Sequence, residues 1–593
     1  MVRERSGTML SRMSDKVAVV MPTDMKRSST MGLTGRPLRW LISFAATVGF
    51  SLFGYDQGLM SGIVSGKQFC QKEFKILCKN LLDNDDTTHD DDVRQGAVTA
   101  CYEIGCFFGA LFVLGVGERW GRKPLIMTGC FIIIIGTAIS ATAFGDKWGL
   151  GQFVIGRVIT GIGNGMNTAT IPVWQSEIAR PELRGRLVQL EGSVVGVGTM
   201  IAYWLDYGLS FVDSSIQWRL PVAMQIVFAL IVFLLMIGLP ESPRWLVNHE
   251  REEEARPIYA ALEDVPLTDE IVETRLAHAI NDSKRSGGGR MRFSELMTHG
   301  KTAHFSRMLI GASTQFFQQF TGCNAAIYYS TILFKKMDLG DVMSLTMGGI
   351  FASIYAGMTL PAFYLIEKWG RRPLFLFGAI GQGCSFIITM GCLAAVRTSQ
   401  LKRAHADLTH HEKQVTKGAA VGLYLFISFF AMSILGLPWI YPPEINPLRT
   451  RTAATAVSTC TNWLSNFAVV MFTPVFVGNA GWGAYLFFAL INFIWVPVIF
   501  LYYPETAGRS LEEIDIIFAR ANEENKMPWR VAAVMPKMDN DEVHAEARRL
   551  GLHLDDELLD EESGFDSNDK AAGYESDTPG ETPLARSPSA TSA

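Results

Sequence analysis

ERWGRK at residues 118–123 returns as EKWGRR at residues 367–372, and that echo decides how the chain is built. Each copy reads acid, base, tryptophan, glycine, base, base, and each follows the second long apolar run of its half. Another pair repeats around them: Glu177 stands seven residues before Arg184, and Glu444 seven before Arg451. A third closes each half, PESPRWL at 240–246 and PETAGRSLEE at 504–513. One such match is chance; three in the same order are an internal duplication. Both copies run in the same direction, so the fold is two parallel repeats joined by a central segment.

The halves are built from membrane spans. Apolar runs of the roughly 20 residues that cross a bilayer fall near 40–64, 94–116, 124–144, 151–173, 187–208 and 218–239. After a polar interval come 307–334, 345–366, 373–396, 418–441, 453–476 and 482–503. The expected fold class is an all-α membrane protein, twelve transmembrane helices in two pseudo-symmetric six-helix bundles with a cytoplasmic helical linker. An even number of spans puts both termini on one side. Short loops with Arg119, Arg122 and Lys123, with Arg180, Arg184 and Arg186, with Lys368, Arg371 and Arg372, and with Arg449 and Arg451 share that side. Such a basic excess marks the cytoplasm. The basic stretch 397–417 falls outside, against this trend, and is outvoted.

The expected domains are a cytoplasmic segment 1–39, the first bundle 40–240, a charged helical linker 241–305, the second bundle 306–504, a closing motif 505–520 and an acidic, disordered cytoplasmic tail 521–593. In that tail Thr578, Thr582 and Ser587 each precede proline as candidate phosphorylation sites. Lys526, Lys537 and Lys570 are candidate ubiquitin acceptors. The Asn281 triplet falls on the cytoplasmic side, away from glycosylation. Residues 1–36 lack the apolar core of a cleavable signal.

A net charge of −5 gives no hint of nucleic acid. Nine scattered cysteines form no CxxC pair, so neither a metal site nor a disulfide framework is indicated; Cys70 and Cys78, in an outer loop, are a candidate pair. With no nucleophile–base set and no phosphate loop, the chain does not read as an enzyme and calls for no cofactor. The chemistry lies in polar residues inside the spans. In TQFFQQFTGCNAAIYYS, residues 314–330, Gln315, Gln318 and Gln319 share one helix face, and Gly322 loosens the helix before Asn324. Amides in hydrocarbon are costly unless they are paired or line a cavity. An amide both donates and accepts, as a hydroxyl does, so the cluster suits a neutral polyhydroxylated ligand; interhelical glue is the alternative.

Asp56 in FGYDQGLMSG lies within the first span and Arg157 within the fourth. An intramembrane carboxylate with a cationic partner is a candidate proton site, with the proton as coupling ion. Glu103 is a second carboxylate within a span, either a further proton site or a hydrogen-bonded structural group. At the cytoplasmic ends Glu118 and Arg122, Glu177 and Arg184, Glu367 and Arg371, and Glu444 and Arg451 can form a network of ion pairs. Single exposed pairs contribute only about 0–1 kcal/mol. A network made in one state and broken in another can bias a transport equilibrium, which makes these residues a candidate cytoplasmic gate.

With these motifs the chain resembles the sugar porter family of the major facilitator superfamily over about residues 40–520. Within that family RGRLVQLEGSVVGVGTMIAYWLDYGLS, STQFFQQFTGCNAAIYYST, LPWIYPPEI, STCTNWLSNFAVVMFTP and PETAGRSLEEIDIIFA are similar to the fungal glycerol–proton symporter branch. The resemblance implies a site at the midplane between the halves and proton-driven uptake at the plasma membrane. It also implies that Gln315, Gln318, Gln319, Asn324, Trp439 and Asn466 contact substrate, and that Asp56 and Arg157 couple it to protons. Three polar positions of hexose carriers are changed, to Gly192, Tyr355 and Ala431. A hydroxyl buried without a partner costs about 1–3 kcal/mol, so the pocket is expected to take a small polyol such as glycerol. A hexose or pentose symporter or facilitator, and a non-transporting nutrient sensor, remain the alternatives.

Overall fold

The computed structural model describes residues 30–552 except 65, 67, 75–88, 146, 180–183, 286–292, 299, 301, 336–340, 403–408 and 448–449. Among the described residues every regular element is helical. The first half is α1 (Gly35–Val64), α2 (His89–Trp120), α3 (Arg122–Ala141), α4 (Lys147–Ile178), α5 (Arg184–Leu209) and α6 (Ile216–Gly238). Three linker helices follow: α7 (Pro243–Asn248), α8 (Glu252–Glu263) and α9 (Glu270–Arg285). The seventh span is α10 (His304–Phe320) with α11 (Cys323–Lys335), and the eighth is α12 (Asp341–Met358) with α13 (Leu360–Lys368). The ninth is α14 (Arg371–Lys402). The tenth is α15 (His410–Phe429), a π-helical turn at Phe430–Ile434, and α16 (Leu437–Ile445). The last two are α17 (Arg451–Ala480) and α18 (Trp482–Tyr502), followed by α19 (Leu511–Glu523) and α20 (Pro528–Val534).

Every expected apolar run is helical, and nine described spans are long and apolar enough to cross a membrane on composition alone. The other three, α4, α5 and the seventh span, carry many of the polar residues of the interior. Arg157, Asn164 and Asn167 of α4, Gln189, Glu191 and Asp206 of α5, and the three glutamines of α10 are all buried. The opposite pattern marks the lipid-facing helices: Ile231, Leu234 and Ile237 on α6, and Leu490 and Ile494 on α18, are exposed.

Within the first half α1 packs on α5, and α3 on α4 and α6. The second half repeats this with α10 on α17, and α14 on α15 and α18. The halves meet where α2 crosses α17 and α5 crosses α12, the pairs that a twofold duplication makes equivalent. The linker docks its apolar face, Trp245, Leu246, Ile258, Leu262 and Leu276, into the same core as Leu38 and Ile42 of α1.

Helical structure extends beyond residue 521, where the acidic composition suggests a disordered tail. Trp529 of α20 lies 5.1 Å from the Phe500 ring, and the Arg372 guanidinium sits 4.9 Å from both rings. Arg509 donates to the carbonyls of Ala532 (2.8 Å) and Met535 (2.6 Å). One tryptophan and two arginines thus anchor a segment whose average composition is polar. A further helix, α21 (Asn540–Arg549), belongs to a separate compact unit from residue 538 onward and starts at an Asp539/Glu542 capping box. Residues 553–593, with Lys570, Thr578, Thr582 and Ser587, lie outside the described residues. Cys70 is disulfide-bonded; Cys78 also lies outside them.

Candidate functional site

The seventh span breaks at Gly322, whose φ of +94° lies in the region that glycine tolerates. The break turns the amides of α10 and α11 toward one another. Gln319 donates to Asn462 Oδ1 at 2.6 Å. Asn324 donates to Gln319 Oε1 and to Asn466 Oδ1, both at 2.7 Å. Five of the residues expected to bind substrate, Gln315, Gln318, Gln319, Asn324 and Asn466, are buried here, and Trp439 is half-buried on α16. Asn462 was not anticipated, although it stands one turn before Asn466 on the same helix.

Gln315 and Gln318 have a second task. Gln318 donates to the carbonyls of Ile434 (3.0 Å) and Leu435 (3.1 Å), and Gln315 to that of Pro438 (2.7 Å). These carbonyls lie where the π turn and Pro438 interrupt the helical ladder of the tenth span. A backbone acceptor freed inside a membrane must find another donor, and the glutamines supply it. The interhelical role of an amide is realised at these two positions.

The three changed positions gather at the same helices. Tyr355 of α12 is buried with its ring 6.0 Å from that of Phe430, and Ala431 is buried in the π turn. A Cβ on Gly192 would stand 3.7 Å from the Cα of Gly436, so α5 and the tenth span approach closely there.

Asp56 and Arg157 form a two-pronged ion pair, Nη1 to Oδ1 and Nη2 to Oδ2 (3.1 Å), and each side chain is only 1% exposed. The guanidinium also lies 4.5 Å from the centre of the Tyr102 ring. Glu103, the next residue of α2, is fully buried and accepts a hydrogen bond from Tyr328 of α11. Neighbouring residues of α2 therefore touch the ion pair and α11, the helix that carries Asn324.

At the end that carries the linker the duplication is visible atom by atom. Arg122 binds both oxygens of Glu177 (2.9 and 3.1 Å) and Glu118 (3.0 Å). Arg371 binds both oxygens of Glu444 (2.6 and 3.1 Å). Behind each arginine a carboxylate holds the backbone turn. Glu241 accepts from the nitrogens of Arg122 (3.0 Å), Lys123 (3.0 Å) and Ser242 (2.8 Å). Glu505 accepts from those of Arg371 (2.9 Å), Arg372 (3.0 Å) and Thr506 (3.0 Å). The glycines of the opening motif follow from this: Gly121 and Gly370 have φ of +88° and +89°, and a Cβ on either would stand 2.6 Å from the glutamate oxygen. Burial pushes the Glu241 carboxyl above its ordinary range, against the pull of those donors. Glu241 and Glu505 were legible as members of a repeated motif but not as its keystones.

One expected gate grouping is placed differently. Glu444 pairs with Arg371 and accepts from Thr506 (2.6 Å) rather than meeting Arg451. The loop after α16 carries Arg451 elsewhere, toward the Asn446 carbonyl (3.4 Å) and into the field of Asp515, Arg244 and Arg307. The described clusters also lie within each half, not across the seam. Glu367 is exposed near Arg371, and the side chain of Arg184 lies outside the described residues.

Across the seam at the opposite end the contacts are neutral. Ser61 of α1 meets Thr331 (3.0 Å), Tyr203 of α5 meets Ser330 (2.6 Å) and donates to the Ile327 carbonyl, and Trp204 donates to Ser353 (2.9 Å). Each joins the first half to the second.

Residues 41–518 match the family model described as "Sugar (and other) transporter". The chain belongs to the sugar transporter family. Within that family it is 54% identical to the sugar transporter STL1 of Saccharomyces cerevisiae over 543 residues, 91% of this chain and 92% of that one. It is 49% identical to the major facilitator superfamily transporter mfsA of Aspergillus fumigatus over 563 residues, covering 94% and 98%. Its fold is similar to that of the xylose transporter XylE from E. coli, with a TM-score of 0.63 over 80% of this chain and 99% of that one at 23% identity. This sugar transporter is thus a multi-pass membrane protein of the major facilitator fold, a carrier and not an enzyme.

Proposed function

We propose that this sugar transporter is a proton-coupled symporter that brings glycerol, or a polyol of similar size, through the plasma membrane by alternating access. Both termini then face the cytoplasm. The observation that carries this reading is the buried Asp56–Arg157 pair, linked through Tyr102 and Glu103 of α2 to α11, the helix that carries Asn324 of the amide cluster. A carboxylate held in hydrocarbon by one guanidinium is tolerable ionised, and protonation releases the arginine and frees α1 from α4. Gln319, Asn324 and Asn466 offer donors and acceptors suited to hydroxyls, while Tyr355 and Ala431 leave less room and fewer partners than a six-carbon sugar needs. The Arg122 cluster, with Glu118 and Glu177, and the Arg371 cluster, with Glu444, stiffen the cytoplasmic ends that must close during the cycle.

A six-carbon or five-carbon sugar is the second reading, favoured by the retained amides. Uptake of labelled glycerol and labelled glucose into cells lacking their own carriers, with and without a protonophore, separates the two. Protonophore-sensitive glycerol accumulation is expected; glucose uptake without a glycerol signal rejects the polyol reading.

A further inference from the structure

Glu103 is a carboxylate that the transport scheme above leaves without a task. It is fully buried on α2, in a part of the chain where an unpaired acid is expensive. One oxygen accepts from the Tyr328 hydroxyl, across the seam between the halves. Among the described residues the other oxygen, Oε2, makes no well-aligned hydrogen bond, and neither does the Asn466 amide nitrogen, although the two groups face each other within reach. The opposite end of that Asn466 amide accepts from Asn324, inside the amide cluster. A buried acceptor and a buried donor therefore stand side by side on two helices from different halves.

We propose that Glu103 is a substrate-binding residue: with Asn466 it takes one hydroxyl of the transported polyol, the hydroxyl donating to Oε2 and accepting from Nδ2. A hydroxyl is the small neutral group that answers an acceptor and a donor together. Of that pair the Glu103 carboxyl oxygen is the acceptor and the Asn466 amide the donor. The pair sets specificity sharply, because an analogue lacking that hydroxyl leaves both buried groups unpaired. The ligand then bridges α2 and α17, so occupancy is felt at the seam next to the Asp56–Arg157 pair. This inference rests on the polyol reading for its substrate.

The test is competition of glycerol, 1,2-propanediol and 1,3-propanediol against labelled glycerol, using the full chain in cells lacking glycerol carriers and at matched surface amounts. Wild-type protein is expected to prefer glycerol over at least one of the diols. Glu103→Gln should raise the KM for glycerol roughly tenfold or more, leave the maximal rate nearly unchanged, and shrink the preference over that diol. Glu103→Asp, which keeps the carboxylate, should retain the preference. Tyr328→Phe, which frees the other oxygen only, should alter the maximal rate more than the preference. A Glu103→Gln protein whose maximal rate falls while its preference stays intact overturns the proposal, as does a Tyr328→Phe protein that loses the preference equally. Should Glu103→Gln fail to reach the surface, Asn466→Ala must lose the same preference, and its retention is equally fatal. If wild-type protein takes glucose and not glycerol, the polyol reading alone fails, and the same comparison with deoxyglucoses decides on Glu103.

Discussion

Replacing Asp56 by asparagine tests the proton step at its centre. In the structure Asp56 holds Arg157 with both oxygens, and both side chains are sealed from solvent. Removing one member of such a pair leaves the other uncompensated, at about 3–5 kcal/mol. The Tyr102 ring, 4.5 Å from the guanidinium, offsets part of that. Asp56→Asn should therefore lower the melting temperature of the purified protein, and Asp56→Asn with Arg157→Gln should recover most of the loss. The double variant separates folding from coupling. One proton entering down 100 mV carries about 2.3 kcal/mol, enough for about fifty-fold accumulation of a neutral solute. Steady-state accumulation of labelled substrate in energised cells should approach that ratio for wild-type protein and fall to about unity for both variants. Downhill exchange should persist in the double variant. Protonophore-sensitive accumulation surviving in Asp56→Asn would refute the assignment.

Three other outcomes follow from the geometry. Glu505→Ala strips four backbone nitrogens of their acceptor and should destabilise the protein by about 1–3 kcal/mol, read as a lower melting temperature; Glu241→Ala should do the same in the other half, and an effect in one half alone would contradict their equivalence. Tyr203→Phe removes two contacts between the halves at the end away from the linker. At about 0.6–1.7 kcal/mol for an interhelical bond, it should raise labelling of a cysteine placed behind that seal by about three- to eighteen-fold. Tyr355→Asn with Gly192→Gln restores room and partners beside the tenth span, and should allow glucose to compete with the labelled substrate where wild-type protein does not.

The sequence made the duplication readable because its landmarks are backbone devices. A glycine at positive φ, an arginine and a glutamate recur wherever that turn recurs, so 118–123 and 367–372 announced matching structures. The partners within each device were less legible. Spacing by seven suggested that Glu444 meets Arg451, but the chain leaves α16 at Asn446 and re-enters helix at Arg451, and no periodicity spans that gap. The amide cluster was legible as a cluster, since Gln315, Gln318 and Gln319 share a face. Its division of labour was not, because a π turn in another helix decides which carbonyls need donors. Glu103 had no such signal beyond being an acid in an apolar run; its meaning comes from Tyr328, 225 residues away.

That π turn has a consequence for affinity. Gln315 and Gln318 already give amide hydrogens to Ile434, Leu435 and Pro438. A ligand that draws on those hydrogens exchanges one acceptor for another and gains little net enthalpy, while loosening the grip of α10 on the tenth span. Calorimetric titration should then find weak, largely entropic binding at this face. Loss of uptake on replacing either glutamine would report slackened helix registry as much as a missing ligand contact. For a carrier this is useful: a solute held by exchange is released by the reverse exchange, without a deep well to climb out of.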